Sequence, residues 1–285
     1  MHGDLGLVDQ LLFVGPLWLI ALILIVASLL AREAGSLLYK RLETRRPATA
    51  EGESEDAQSH IVGAVFGLLA FIIAFTFSIA IDRYDIRRNL VAEEANAIEV
   101  AYRRASLFDE PSRSQIQANL RAYARTRVAP SGLWDDAMEA KLRQARLLRA
   151  ELWEETRTAV YPIRTTTLAA SFVEAMDHVL DVGILRELAG RAHVPTRILD
   201  VTLLYLIVAS GMLGYVLKVH RGGRRKASTV MLVLFVIVIT LILDVDRPDV
   251  GSVRVPQRAM EDLIADLDRD AARASAAVPT PADRP

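Results

Sequence analysis

The chain has 285 residues, no cysteine and a formal net charge of -1. Without cysteine there can be no disulfide, no thiolate catalysis and no cysteine-ligated zinc or iron-sulfur centre, and the near-neutral charge argues against a nucleic-acid surface. Hydrophobic residues make up 52% and charged residues 24%, so the charges must gather outside long apolar segments.

A short acidic tail (1–10) carries Asp4 and Asp9 and leads into LLFVGPLWLIALILIVASLLA (11–31), the first expected membrane span. Arg32, Lys40 and Arg41 follow it. That charge order is the reverse of a cleaved signal peptide, so a retained span is expected. The loop 32–60 ends in PATAEGESEDAQSH, polar and of low complexity, which reads as a mobile linker.

The second span, IVGAVFGLLAFIIAFTFSIAI (61–81), holds 21 residues without a charge. Its helical length of about 31 Å matches a hydrocarbon core. It runs into DRYDIRRNLVAEEANAI with no helix breaker, so one helix is expected to leave the membrane and continue.

Residues 82–200 have helical periodicity, broken at Pro111, Pro130 to Gly132, Pro162 and Pro195. Within Leu133 to Tyr161, the residues Trp134, Met138, Leu142, Ala145, Leu148 and Leu152 recur at intervals of three and four, the pattern of a helix packed on one side. The next helix places Leu168, Phe172, Met176, Val179 and Val182 together. Spans three (201–217) and four (227–243) are joined by a basic turn (218–226), which makes them an antiparallel hairpin. Each holds only 17 uncharged residues, so Lys218 and Lys226 are expected to snorkel toward headgroups. The C-terminal segment (244–285) opens with DVDRPDVGSVRVPQ, continues as amphipathic AMEDLIADL, and ends in RASAAVPTPADRP, which reads as disordered. The expected fold is all-α, an integral membrane protein with four transmembrane helices and a helical extramembrane domain between helices 2 and 3.

Several chemistries are missing. No Asp, Glu, Lys, Arg or His lies within the four runs, which disfavours a proton-coupled pump or secondary transporter. P-loop, GxGxxG, HExxH and GxSxG motifs are absent, so no enzyme and no cofactor is expected. Glu174, His178 and Asp181 share a helix face, but a solvated polar face explains them and no metal is expected.

Span two differs from the others. Gly63, Gly67, Ala70, Ala74 and Ser78 form a small-residue stripe suited to close helix packing, and Phe71 and Phe75 lie beside it one turn apart. The phenylalanines either fill the flank of a packing seam or ring a shared axis as a hydrophobic constriction. Farther along, Glu93 and Asn96 lie on neighbouring positions of one face. They suit helix bridging and a pair with Arg88, or else an ion vestibule in which Glu rings favour cations and Arg83, Arg87 and Arg88 rings favour anions. Both signs are present, so selectivity stays open at this level.

These residues carry a resemblance. FIIAF (Phe71 to Phe75) followed by IAIDRY (Ile79 to Tyr84) resembles the bestrophin pore helix, where two phenylalanines four apart precede a basic and an aromatic residue. The whole layout is similar to the bestrophin-like family of bacterial four-span proteins through GAVFGLLAF (Gly63 to Phe71), Arg83, Tyr84, Asp85, Arg87 and Arg88 of RYDIRR, Glu93, Glu94 and Asn96 of EEANAI, and Asp244, Asp246, Arg247 and Pro248 of DVDRP, with Gly251 and Val255 after it. Bestrophins are pentameric anion channels, so the resemblance implies self-association, a phenylalanine constriction and permeating ions. The calcium-binding acidic run of animal members has no counterpart here. The leading expectation is a non-catalytic membrane scaffold or regulatory protein. The alternative is a homo-oligomeric passive ion channel, a pentamer by analogy.

Richness in Ala, Arg, Leu and Val suggests a GC-rich bacterial source and hence an inner membrane, with lipid as the first partner. Ten basic residues flank the two short loops and nine flank the opposite ends, which favours both termini and the helical domain outside the cytoplasm. The resemblance implies the opposite placement.

Overall fold

A charge ends an apolar run without ending a helix, and the first two helices show it. In the computed structural model, which describes residues 15–43, 54–128, 136–217, 224–247 and 251–276, helix α1 spans Leu17–Glu43 and α2 spans Ser54–Ala105. The helices therefore absorb both flanks of the segment expected to be a linker. The central part of that segment and the first residues of the expected first span lie outside the described residues. Helix α2 continues for 52 residues with neither proline nor a late glycine to stop it, a rise of about 78 Å.

Next come α3 (Ser112–Thr126), α4 (Asp136–Val160), a 3₁₀ turn (Tyr161–Ile163), α5 (Thr167–Arg191), α6 (Thr196–Leu217), α7 (Arg224–Asp246) and α8 (Arg258–Ala276). The Thr166 side chain caps α5 by accepting the Ala169 N–H at 3.2 Å. Helix α8 runs through Ala276, so the start of the segment read as disordered is helical. Its Ala-rich sequence and the pair Arg273–Asp270 suit a helix. There is no strand among the described residues. Among the described residues four helices are long and apolar enough to cross a membrane, and the chain is an all-α integral membrane protein.

The chain divides into two compact units, Met1–Tyr84 with His193–Val253, and Asp85–Ala192 with Arg254–Pro285. In the first unit, α1, the apolar part of α2, α6 and α7 bury Ile20, Leu24, Leu69, Ile73, Leu206, Val236 and Ile239. Helices α1 and α6 approach each other closely. A Cβ on Gly35 would stand 1.9 Å from the Gly211 carbonyl oxygen, and one on Gly214 would stand 1.8 Å from the Arg32 oxygen. Only glycine fits at either place. Tyr39 and Tyr215 meet edge to face nearby. Arg32, buried at this crossing, donates to the hydroxyls of Ser228 at 3.2 Å and Thr229 at 2.6 Å and pairs with Glu33.

The second unit packs the polar part of α2 with α3, α4, α5 and α8 around Ile98, Ala101, Leu120, Leu152, Phe172, Met176, Met260 and Leu263. Each such large apolar side chain contributes about 1.5 to 3 kcal/mol on burial. Ala145 and Leu152 of the α4 stripe, and Phe172, Met176, Val179 and Val182 of α5, are buried as their spacing implies. Trp134 lies outside the described residues.

Candidate functional site

The exposed faces of the first unit differ in chemistry. Helix α1 presents Leu22, Ile23, Val26 and Leu30, α6 presents Val201, Leu204 and Val208, and α7 presents Val230, Leu234, Ile237 and Leu241. Such faces suit lipid tails. On α2 the exposed face is instead Gly63, Gly67, Ala70, Phe71, Ala74, Phe75 and Ser78, flanked by Ile61 and Leu68. Phe71 is 67% exposed and Phe75 58%. Cβ atoms built on Gly63 and Gly67 would meet nothing within 4 Å. Within the chain, the tight helix contact that the stripe suggested is made instead by Gly35, Gly211 and Gly214, and the stripe itself is unoccupied. Thr76, on the opposite side of α2, is buried and donates to the Ile72 carbonyl at 2.8 Å. Arg83 and Tyr84 are half-buried.

In the second unit the polar motif residues separate. Asp85, Arg88, Glu93 and Asn96 are exposed. Glu93 stands 3.9 Å from His178 rather than paired with Arg88, and Asn96 makes no hydrogen bond among the described residues. Arg87 is buried and donates to the carbonyls of Ala189 at 3.2 Å and Ala192 at 2.6 Å, closing the C-terminal end of α5. Glu174, His178 and Asp181 lie along an open groove on α5 with Arg164 and Asp177. No group of three such side chains converges as a metal site among the described residues.

Glu94 behaves unlike its neighbour. It is fully buried, with Oε1 accepting from Arg127 Nε and Tyr123 Oη, each at 2.7 Å, and Oε2 accepting from Arg186 Nη1 at 2.7 Å. Arg186 also donates to Gln257 at 2.7 Å and to the Arg127 carbonyl at 3.0 Å. Glu187 extends the network to Arg149 at 3.0 Å. Burial pushes the Tyr123 phenol well above the ordinary tyrosine value, and the Glu94 charge adds to it. Burial works against the Arg127 charge, but the Glu94 carboxylate outweighs it and holds its pKa above the usual arginine value. Gly183 makes room for this network, because a Cβ there would stand 2.3 Å from the Tyr123 hydroxyl. Sequence reasoning singled out Glu94 but not its partners. Tyr123 and Arg127 sit one turn apart on one face, the only local signal, and the chain's many arginines obscure Arg186.

The DVDRP residues form a second polar knot, in the first unit. Asp246, buried at the end of α7, accepts the Val194 N–H with both carboxylate oxygens, at 2.9 and 3.0 Å, and thereby holds the entry to α6. His193 lies 3.0 Å from the Asp246 carbonyl oxygen. Asp244 accepts the Ser252 N–H at 2.6 Å and the Ser252 hydroxyl as well. Gly251 allows this turn, since a Cβ there would lie 2.4 Å from the Asp244 carbonyl oxygen. Arg247 donates to the Gly15 carbonyl at 2.7 Å, and Pro248 lies outside the described residues.

A sequence model described as Bestrophin-like domain covers residues 26–260. Among solved structures, a bacterial bestrophin homolog from Klebsiella pneumoniae carrying one substitution matches with a TM-score of 0.63 and 14% identity, over 87% of this chain and 97% of that one. A second variant of that homolog matches with a TM-score of 0.61 and 15% identity, over 88% and 97%. At such identity the likeness shows a shared fold. No curated protein matches the chain. The conserved-domain match spans the helix with the unoccupied face, the Glu94 network and the DVDRP knot together, and the chain belongs to the bestrophin-like family.

Proposed function

We propose that the chain is the subunit of a homo-oligomeric passive ion channel, non-catalytic, in which the unoccupied face of α2 surrounds a shared axis and Phe71 and Phe75 form a hydrophobic constriction. The observation that carries this reading is the contrast between faces: α1, α6 and α7 present bulky aliphatic side chains, whereas α2 presents glycine, alanine, serine and two phenylalanines. Lipid packing gives no reason for that difference. Several copies of one helix meeting at an axis need small residues for close approach, and rings of phenylalanine narrow the path and gate it by dewetting. The bestrophin fold and the pentameric assembly that the sequence resemblance implies support the same arrangement.

Replacing both phenylalanines with alanine is expected to widen and wet the constriction. Ion flux into liposomes containing a confirmed oligomer should rise well above wild type, with little loss of thermal stability because both rings are exposed in the chain. Lower stability with flux at the empty-liposome level would overturn the channel reading and favour a membrane scaffold.

The basic short loops support the helical unit lying outside the cytoplasm of a bacterial inner membrane. A reporter active only outside the cytoplasm should work when fused after Arg258 and stay silent when inserted at Gly222. The reverse pattern would place the helical unit in the cytoplasm.

A further inference from the structure

Rings of either sign could form from the charges beside the second span, but their places on the helix differ. At about 100° per residue, Asp82 lies about 20° round α2 from Phe71 and about 16 Å along it. Its azimuth falls between those of Phe71 and Phe75, and Ser78, one turn earlier, lies about 40° from it on the same broad face. Asp82 is exposed and has no hydrogen bond or ion pair among the described residues. Arg83 is turned away by about 120° from Phe71 and is half-buried, with its Nε fully covered. Arg87 is bound to the carbonyls of Ala189 and Ala192 within its own unit, and Arg88, though exposed, lies about 100° round α2 from Phe71. Of the two signs that flank the span, the negative one shares the face of the phenylalanines.

We infer that Asp82 sets the charge selectivity of the pore, its carboxylates forming a ring at the polar end of the constriction that admits cations and repels anions. This inference rests on the channel reading above, and it departs from the anion conduction that the bestrophin resemblance implies. The physical basis is simple. A ring of like carboxylates at the mouth of a narrow, low-dielectric passage raises the local cation concentration and lowers that of anions. The apolar stretch before it supplies no competing charge, since residues 61–81 contain none.

The test is the reversal potential of the purified oligomer in planar bilayers under a tenfold KCl gradient, in the wild type and in the Phe71→Ala/Phe75→Ala background. Both should reverse on the potassium side of zero. Asp82→Asn should move the reversal potential toward zero, and Asp82→Lys should carry it to the chloride side. Because Asp82 is exposed and unpaired among the described residues, neither change should alter the unfolding temperature in detergent. A conducting wild type that prefers chloride, or an Asp82→Asn variant with unchanged selectivity, would overturn the inference and leave the channel reading standing. No conductance from a confirmed oligomer in either background would remove both.

Discussion

Glu94→Ala should cost the helical unit about 3 to 5 kcal/mol, because it leaves the guanidinium groups of Arg127 and Arg186 buried without their shared counter-ion. In detergent the variant should unfold at a markedly lower temperature, with loss of helix from the unit built on Ile98, Leu120 and Phe172. Glu94→Gln should recover part of the loss, since its amide oxygen still accepts from Tyr123. Adding Arg186→Met to Glu94→Ala should recover part of it too, because it removes one stranded charge. Equal stability of wild type and Glu94→Ala would show that water reaches the cluster. Alkaline pH gives an independent check. The Tyr123 phenol has a pKa raised on folding, so the folded state holds that proton more tightly than the unfolded chain. The resulting stability is complete below the ordinary tyrosine value of about 10 and is lost as pH climbs past it. Tyr123→Phe should flatten the alkaline limb of the stability profile.

The second large effect is expected at Gly214, where any side chain collides with the backbone of α1. Gly214→Leu, which meets Arg32, or Gly35→Leu, which meets Gly211, must force α1 and α6 apart. Overpacking of side chains costs about 1 to 3 kcal/mol, and here the obstacle is a carbonyl oxygen 1.8 or 1.9 Å from the first added atom, so the loss should lie at or above the top of that range. Gly67→Leu is the control, with a Cβ that meets nothing within 4 Å. It should leave the unfolding temperature of the chain unchanged and lower flux through the assembled protein, because it adds bulk on the axial face. A Gly67→Leu chain that unfolds like Gly214→Leu would mean that the α2 face is packed within the subunit after all.

Much of the fold was legible because its signals are local. The uncharged run 61–81 and the unbroken polar stretch after it announce a single long helix, and the stripes through Ala145, Leu152, Phe172 and Met176 identify their buried faces. Sequence showed the small-residue stripe of α2 but not its partner, since a glycine pattern says that something comes close without saying what. The glycines that do weld helices, Gly35, Gly211 and Gly214, are few and belong to distant segments, so no periodicity reveals them. Arg32 looked like the end of a span. Its hydroxyl partners on α7 allow it to be buried inside a helix that runs on to Glu43. The two glutamates of EEANAI are neighbours in sequence, and only packing separates exposed Glu93 from buried Glu94. The choice between Asp82 and the arginines likewise needed burial as well as helical phase.

The crossing of α1 with α6 and α7 also imposes an order on synthesis. Arg32 finds its hydroxyl partner Ser228 only 196 positions later, and the glycine weld needs a helix that emerges only after α2 to α5. The first span must therefore wait in the bilayer without its α6 and α7 partners, its guanidinium still hydrated at the membrane edge, while more than half of the protein is made. A chain interrupted before α6 would carry a membrane anchor with an exposed glycine notch and an arginine lacking its hydroxyl partners, features by which quality-control proteases can tell an unfinished subunit from a finished one.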